Sequence, residues 1–163
     1  MSRGLTYRKA KEEDYDDFYK MKSDSNNISW GGYLEKPIYE TFGNVFLSRI
    51  NSETRKIFII EKSKDKVGYL CLEYIGDNTA EVSYGALTEF AGQGIGTYII
   101  KAFSEFCCSK HLIAWVSENN KASEHCFLKN GFVKTEETEE RNLPLVGGVH
   151  KFYKWEKKWT KFV

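Results

Sequence analysis

Leu87-Thr88-Glu89-Phe90-Ala91-Gly92-Gln93-Gly94-Ile95-Gly96-Thr97 joins a run of strand-like segments to an amphipathic helix, and its reading decides the fold. Glycines at 92, 94 and 96 let the chain turn sharply and let a ligand approach the backbone, and the helix start adds a partial positive charge. Such a loop points several N–H groups at one spot, so the ligand it implies is a phosphate or pyrophosphate. A P-loop would close on Gly-Lys-[Ser/Thr], whereas Gly94-Ile95-Gly96-Thr97 holds no lysine. A dinucleotide-binding fingerprint needs a third glycine where Thr97 stands, and a parallel sheet from the start. Both lose on spacing and context; a glycine turn without a ligand stays open on the loop alone.

Upstream, residues 56–61 and 67–75 are β-branched and aromatic runs around a polar turn at 63–66, and 79–87 follows Gly76-Asp77-Asn78 as a third strand. That is an antiparallel meander. Before it, a strand near 5–8 precedes a short helix opened by Lys11-Glu12-Glu13-Asp14, with Tyr15, Phe18 and Tyr19 on one face. The Ser-, Asn- and Gly-rich segment 23–32 reads as a loop. Pro37 suits the first position of a second helix carrying Ile38, Phe42, Val45, Phe46 and Ile50.

Downstream, Ile99, Phe103, Phe106 and Cys107 line one face of a helix, and 112–116 is a strand. Another helix follows Asn119-Asn120 and stops at Asn130-Gly131. Strands at 132–135 and 149–155 close the chain, joined by a polar loop through Pro144 and Gly147-Gly148. The predicted order is β-α-α-β-β-β-α-β-α-β-β, a mixed α/β (α+β) domain over residues 1–163, without repeats or linkers.

The glycine loop resembles the acyl-CoA loop of the GNAT superfamily of N-acyltransferases. Asn120-Lys121-Ala122-Ser123-Glu124-His125-Cys126-Phe127-Leu128-Lys129-Asn130-Gly131-Phe132 resembles the same superfamily's second motif. The likeness is detailed over 80–132, and the element order extends it to the whole chain. It implies a mostly antiparallel central sheet with splayed strands flanked by helices, acetyl-CoA as co-substrate without a metal, and transfer to an amine. By that resemblance, backbone groups of Tyr84, Gly85 and Ala86 pair with the pantetheine arm. Backbone N–H groups across Ala91, Gly92, Gln93, Gly94, Ile95 and Gly96 hold the pyrophosphate, and the Asn120 side chain bonds the pantetheine. Ala91 stands where the family usually has Arg or Gln, so weaker but retained CoA affinity is expected.

Aminolysis of a thioester needs an uncharged amine, a stabilised carbonyl oxygen and a proton for the thiolate. The resemblance offers an N–H near Ala86 for the oxygen and Glu81 as base, direct or through water; a solvated strand glutamate is the plain alternative. Many relatives use a tyrosine acid where this chain has Phe127, and another common base position holds Trp115. Tyr84, Cys126 and His125 are the nearby substitutes, with Tyr84 preferred. Cys126 as a nucleophile has no His or Asp placed to activate it, so it reads as core.

Acceptors in the superfamily sit between the loop joining the first two helices and the loop before the last strand, here residues 25–33 and 136–148. Trp30 and Tyr33 in the first loop suit a sugar face, which favours an amino sugar or nucleotide amino sugar. The alternatives are a protein N-terminal or lysine acetyltransferase and a non-catalytic acyl-CoA-binding module. Glu136, Glu137, Glu139 and Glu140 make an acidic patch in the second loop, either merely solvated or attractive to a cationic amine.

Composition bounds the rest. Of 163 residues, 24 are Lys or Arg and 23 Asp or Glu, so the net charge of +1 gives no bulk electrostatic case for nucleic acid or an anionic membrane as partner. The C-terminal Lys151, Lys154, Lys157, Lys158 and Lys161, interleaved with Phe152, Tyr153, Trp155, Trp159 and Phe162, read as an edge strand with lysines toward water rather than as a nucleic-acid face. No apolar run is long enough to span a membrane and the start has no signal-peptide core, so a cytoplasmic protein is expected, with a homodimer left open. Cys71, Cys107, Cys108 and Cys126 form no CxxC pair and no zinc spacing with His111, His125 or His150, and read as reduced, mostly buried residues. Four Trp, ten Tyr and eleven Phe suit a well-packed core.

Overall fold

Two apolar runs set the middle of the molecule, because four successive buried residues in each, 57–60 and 67–70, require cover on both sheet faces. In the computed structural model, which describes residues 4–159, the chain begins with β1 (Leu5–Lys9), α1 (Tyr15–Lys22), α2 (Ser25–Trp30) and α3 (Tyr39–Ile50). The meander β2 (Arg55–Lys62), β3 (Asp65–Ile75) and β4 (Thr79–Ala86) follows. Then come α4 (Ile95–Phe106), β5 (His111–Ser117), α5 (Lys121–Lys129), β6 (Val133–Asn142) and β7 (Val149–Lys158). The seven strands form one sheet in the order β1-β2-β3-β4-β5-β7-β6, antiparallel except where β4 meets β5. Lys161 and Phe162 of the C-terminal pattern lie outside the described residues.

Alternation along β2 sorts the core. Ile57 and Ile59 point to α1 and α3, packing with Phe18, Met21, Phe42, Phe46, Tyr69 and Leu87. Phe58 and Ile60 point the other way, into a larger cluster built on Ile95, Ile99, Ile100 and Phe103 of α4. Each fully buried side chain of this size contributes about 1.5–3 kcal/mol of transfer free energy, so α4 is fixed by its apolar face.

Four expectations need correction. Residues 25–30, expected within a loop, are helical: the Asp24 side chain caps α2 by accepting from Asn26 N–H at 3.2 Å, and Ile28 is buried. Tertiary clamps hold a turn whose Ser and Asn content disfavours helix. Pro37 is not the first helical residue, because α3 starts at Tyr39 behind the N-cap Ile38; the Pro37 carbonyl instead accepts the Tyr19 hydroxyl at 2.6 Å. Glu136–Glu140 lie in strand, since β6 continues to Asn142 through a register jump between Lys134 and Thr138. An edge strand exposed on both faces shows no apolar alternation, which is why it resembles a loop. Of the cysteines only Cys107 is buried; Cys71 and Cys126 are half-buried and Cys108 exposed.

Candidate active site

β4 and β5 are paired only from Thr79↔His111 to Glu81↔Ile113; beyond that they splay. Leu87 N–H donates to the Val67 carbonyl on the β3 side at 2.9 Å. By strand alternation Gly85 and Ser83 turn their backbone groups to β3 as well, and Val82, Tyr84 and Ala86 turn theirs into the gap. The expected trio therefore divides: Tyr84 and Ala86 offer main-chain groups to a ligand, and Gly85 serves differently. A Cβ at Gly85 would lie 2.7 Å from the Tyr69 ring and hydroxyl and 2.8 Å from Asn27 Oδ1. Asn27, which no sequence pattern singles out, donates from Nδ2 to the Ala86 carbonyl at 3.1 Å and to the Met21 carbonyl at 2.8 Å, tying α1 and α2 to β4. Gly85→Ala is expected to cost about 1–3 kcal/mol in urea unfolding through overpacking against the buried Tyr69 ring.

The glycine loop begins where β4 ends. Gly92 and Gly94 both have φ +77°, and Gly94 is the N-cap of α4. The first helical donor is Tyr98 N–H, bonded to the Gly94 carbonyl at 3.0 Å. Among the described residues, no acceptor meets the backbone N–H groups from Gly92 to Thr97. Ala91, expected among the pyrophosphate donors, instead gives its N–H to the Thr88 carbonyl at 3.0 Å, so six successive donors, with Thr97 added at the far end, are left at a helix N-terminus beside a cleft of about 1020 Å³. Gly96 permits the close approach of α5: a Cβ there would lie 3.0 Å from Cys126 Sγ and 3.2 Å from the Tyr84 ring. Lys62 Nζ donates to the Gln93 side-chain carbonyl.

Asn120 caps α5, its Oδ1 accepting Ser123 N–H at 3.2 Å, which leaves its Nδ2 to donate to a ligand. Asn130, unremarked in the sequence beyond ending the helix, ties α5 to α4 by donating to the Thr97 carbonyl at 3.1 Å. Tyr84 lies between these helices; its hydroxyl is 2.8 Å from Ser123 Oγ and its ring meets Phe127 edge-on at 5.9 Å. Burial pushes the Tyr84 phenol above its ordinary value, with Cys126 adding to the shift, so it stays protonated at neutral pH. Phe127 is buried, and Trp115 and His125 line the cleft.

Glu81 is three residues before Tyr84 and therefore faces the opposite side of β4. It lines a smaller groove of about 150 Å³ with Arg49, Arg55 and Glu73, which shares Val82 and Ser83 with the main cleft. Desolvation raises its carboxyl above the ordinary range, opposed by Arg141 and reinforced by Glu73 directly across the ladder. Trp30 and Tyr33 both line the main cleft, Trp30 at the end of α2 and 6.3 Å edge-on from the His150 ring. The acidic patch does not: Glu137 pairs with Lys154 at 3.0 Å and Glu139 with Arg141. Among the described residues, no three His, Cys, Asp or Glu side chains converge as for a metal.

A sheet splayed beside a glycine loop with unpaired amides has the layout of the acyl-CoA-dependent acyltransferase class. Residues 4–133 match the family model described as acetyltransferase (GNAT) domain, and the chain belongs to that family. A search of curated proteins found no match. Among solved structures, it resembles spermidine N-acetyltransferase from Vibrio cholerae in complex with CoA and spermine, with a TM-score of 0.84 at 18% identity over 95% of each chain. It also resembles yncA from Salmonella typhimurium with its cofactor acetyl-CoA, with a TM-score of 0.78 at 14% identity over 99% of this chain and 97% of that one. An aminoglycoside acetyltransferase in complex with ribostamycin and coenzyme A gives 0.76 at 18% identity over 95% and 93%. At these identities the likeness is one of fold.

Proposed function

We propose that the protein binds acetyl-CoA in the cleft and transfers the acetyl group to the primary amine of a small molecule, by direct attack in a ternary complex. The observation that carries this reading is the row of six unpaired N–H groups from Gly92 to Thr97, continuous with the gap that receives the backbone groups of Tyr84 and Ala86. An open pyrophosphate-sized row of donors at a helix start and an unpaired strand edge fit a nucleotide joined to an extended amide-bearing arm. The whole of residues 1–163 acts as the one catalytic domain in this proposal. A cytoplasmic setting suits the four free cysteines. Trp30 and Tyr33 contact the acceptor, and nothing in the comparisons favours an amino sugar over other amines.

When bound, acetyl-CoA supplies an activated thioester with a good leaving group. The chain's residues then divide the proton work between the two faces of β4. Glu81, on the acceptor face, takes a proton from the incoming ammonium through water, so that the free amine attacks. The Ala86 N–H, directed into the gap, stabilises the carbonyl oxygen as it gains charge. The new C–N bond forms and the C–S bond breaks; the nitrogen sheds its second proton to water, and the Tyr84 hydroxyl on the cofactor face delivers a proton to the departing sulfur and regains one from water. Ser123 Oγ holds that hydroxyl in place.

Thiol release from acetyl-CoA across a panel of amines tests the reading; saturable CoA binding with no turnover on any amine would reject it. Glu81→Gln is expected to lower kcat/KM by about 100-fold, the scale of a positioned base. Its folded-state carboxyl is raised above the unfolded value of about 4.3, so the folded protein holds the proton more tightly and stability falls as pH rises through the folded value. The ionised group thus destabilises the fold at pH 7, and the Gln variant should melt no lower than wild type there. Activity should rise with pH through the same titration in wild type only. Tyr84→Phe should lower kcat about tenfold with CoA affinity retained, a modest loss because CoA thiolate leaves readily.

A further inference from the structure

Resting on that acyl-transfer reading, we infer that the acceptor is a small amine that also carries a carboxylate, an amino acid rather than a polyamine, and that Lys22 is the residue that selects it. Lys22 is in the last turn of α1 and lines the cleft on the acceptor side. Its ammonium is 4.7 Å from the centroid of the Tyr69 ring, and among the described residues no carboxylate comes within 4 Å of it. Tyr69 is 4% exposed, and its hydroxyl abuts the backbone of Gly85. Lys22 is therefore separated from β4, and from the gap beside it, by the width of one aromatic ring.

Other lysines in this protein find carboxylates readily: Lys66 reaches Asp14 and Asp17, Lys134 reaches Glu124, and Lys154 reaches Glu137. Lys22 is enclosed against Tyr69, with Tyr33 and Cys71 nearby and Arg49 adding like charge, so an anion from outside the chain would complete it. The cleft as a whole points the same way. Among its described lining residues there is no Asp or Glu, whereas Lys22, Lys129 and Arg141 are present. Arg141 is already engaged, paired with Glu139 and stacked over Phe152 at 4.5 Å, which leaves Lys22, among the described residues, as the cation without a carboxylate partner at the acceptor end. A polyamine would bring, besides the amine that Glu81 deprotonates, further positive charge beside Lys22 with no carboxylate among the described residues lining the cleft to receive it. A carboxylate seated on Lys22 directs the same molecule's amine toward β4, and the short span across Tyr69 favours acceptors whose amine and carboxylate are close together.

The test compares amino acids with their own amides, which keep the amine and lose the negative charge, together with spermidine, all with acetyl-CoA. Wild type is expected to prefer the acid over its amide by about 30-fold in kcat/KM, the scale of removing one partner from a desolvated charge pair. Lys22→Met should bring that ratio close to one by raising KM for the acids, and Lys22→Arg should restore it; melting curves confirm that each variant is folded. Wild-type turnover of amides or spermidine equal to or better than the acids, or an undiminished preference in Lys22→Met, overturns the inference and leaves acyl transfer standing. Calorimetry of an amino acid binding to the CoA-saturated protein separates the two readings. Saturable binding lost in Lys22→Met, without turnover, supports the carboxylate site and rejects the transferase. Absence of both binding and turnover for every acid tried rejects the carboxylate site.

Discussion

Gly94→Asp is expected to weaken CoA binding by about 1,000-fold in calorimetry, equivalent to about 4 kcal/mol. Packing is not the cause, because a Cβ at Gly94 meets nothing within 4 Å. The residue has φ +77°, which Asp adopts at modest cost, and a carboxylate at the start of α4 is favourable to the helix itself. The fold should therefore survive. What the substitution changes is the charge facing the six unpaired N–H groups: they would be offered an internal anion in the place proposed for the pyrophosphate, and like charges brought together there cost several kcal/mol. Gly94→Asn has nearly the same shape and the same tolerance of positive φ without the charge, so it should stay within about tenfold of wild type. Equal affinities in the Asp and wild-type proteins would show that the loop does not hold the pyrophosphate.

How far the sequence disclosed this site depends on where each signal is stored. The glycine loop, α4 and the meander are legible because their cues are local: glycines at alternate positions, an apolar helical face, and β-branched runs between turns. The helix α2 is not, because its support is distant in sequence. Asp24, its cap, also accepts Thr88 N–H at 3.1 Å and the Thr88 hydroxyl, and Asn27 reaches the Ala86 carbonyl. Residues 25–30 fold as they do because β4 and the loop after it are alongside. The two-sided exposure of β6 hides a strand for the opposite reason, since only the backbone ladder to β7 makes it one. Phe127, expected where many relatives carry a tyrosine, fills apolar space against Tyr84 and Phe132. Lys22 reads in sequence as an ordinary helix-ending lysine; only β3, delivering Tyr69 beneath it, sets it apart.

The wild-type fold should depend on Asp14 more than on any surface ion pair, with Asp14→Ala costing about 3 kcal/mol in urea unfolding and lowering Tm by about 6–12 °C. Asp14 is fully buried, and its carboxylate accepts from both Arg8 Nη atoms at 2.8 Å, from Lys11 N–H at 2.7 Å and from Lys66 Nζ at 2.9 Å. Removing it leaves Arg8 and Lys66, both only partly exposed, as neighbouring like charges, and frees the turn before α1. Arg8 is held protonated by its hydrogen bonds to Asp14 and, against the opposing effect of burial, by Glu61, while hydrogen bonds from Arg8, opposed by burial, keep the Asp14 carboxyl well below the ordinary range. The sign follows: with a folded value depressed below the unfolded value of about 3.9, the stabilisation is complete above that value and is lost as pH falls through it toward the folded one. Urea midpoints between pH 6 and pH 3 should therefore fall more steeply for wild type than for Asp14→Asn, which keeps an acceptor but has no charge to lose. Parallel slopes for the two proteins would show that Asp14 carries no such linkage. Because the network joins β1, β2, β3 and the start of α1, the helix whose far end carries Lys22, the same variants should also loosen the acceptor side of the cleft, raising KM for the acceptor before any change in CoA affinity.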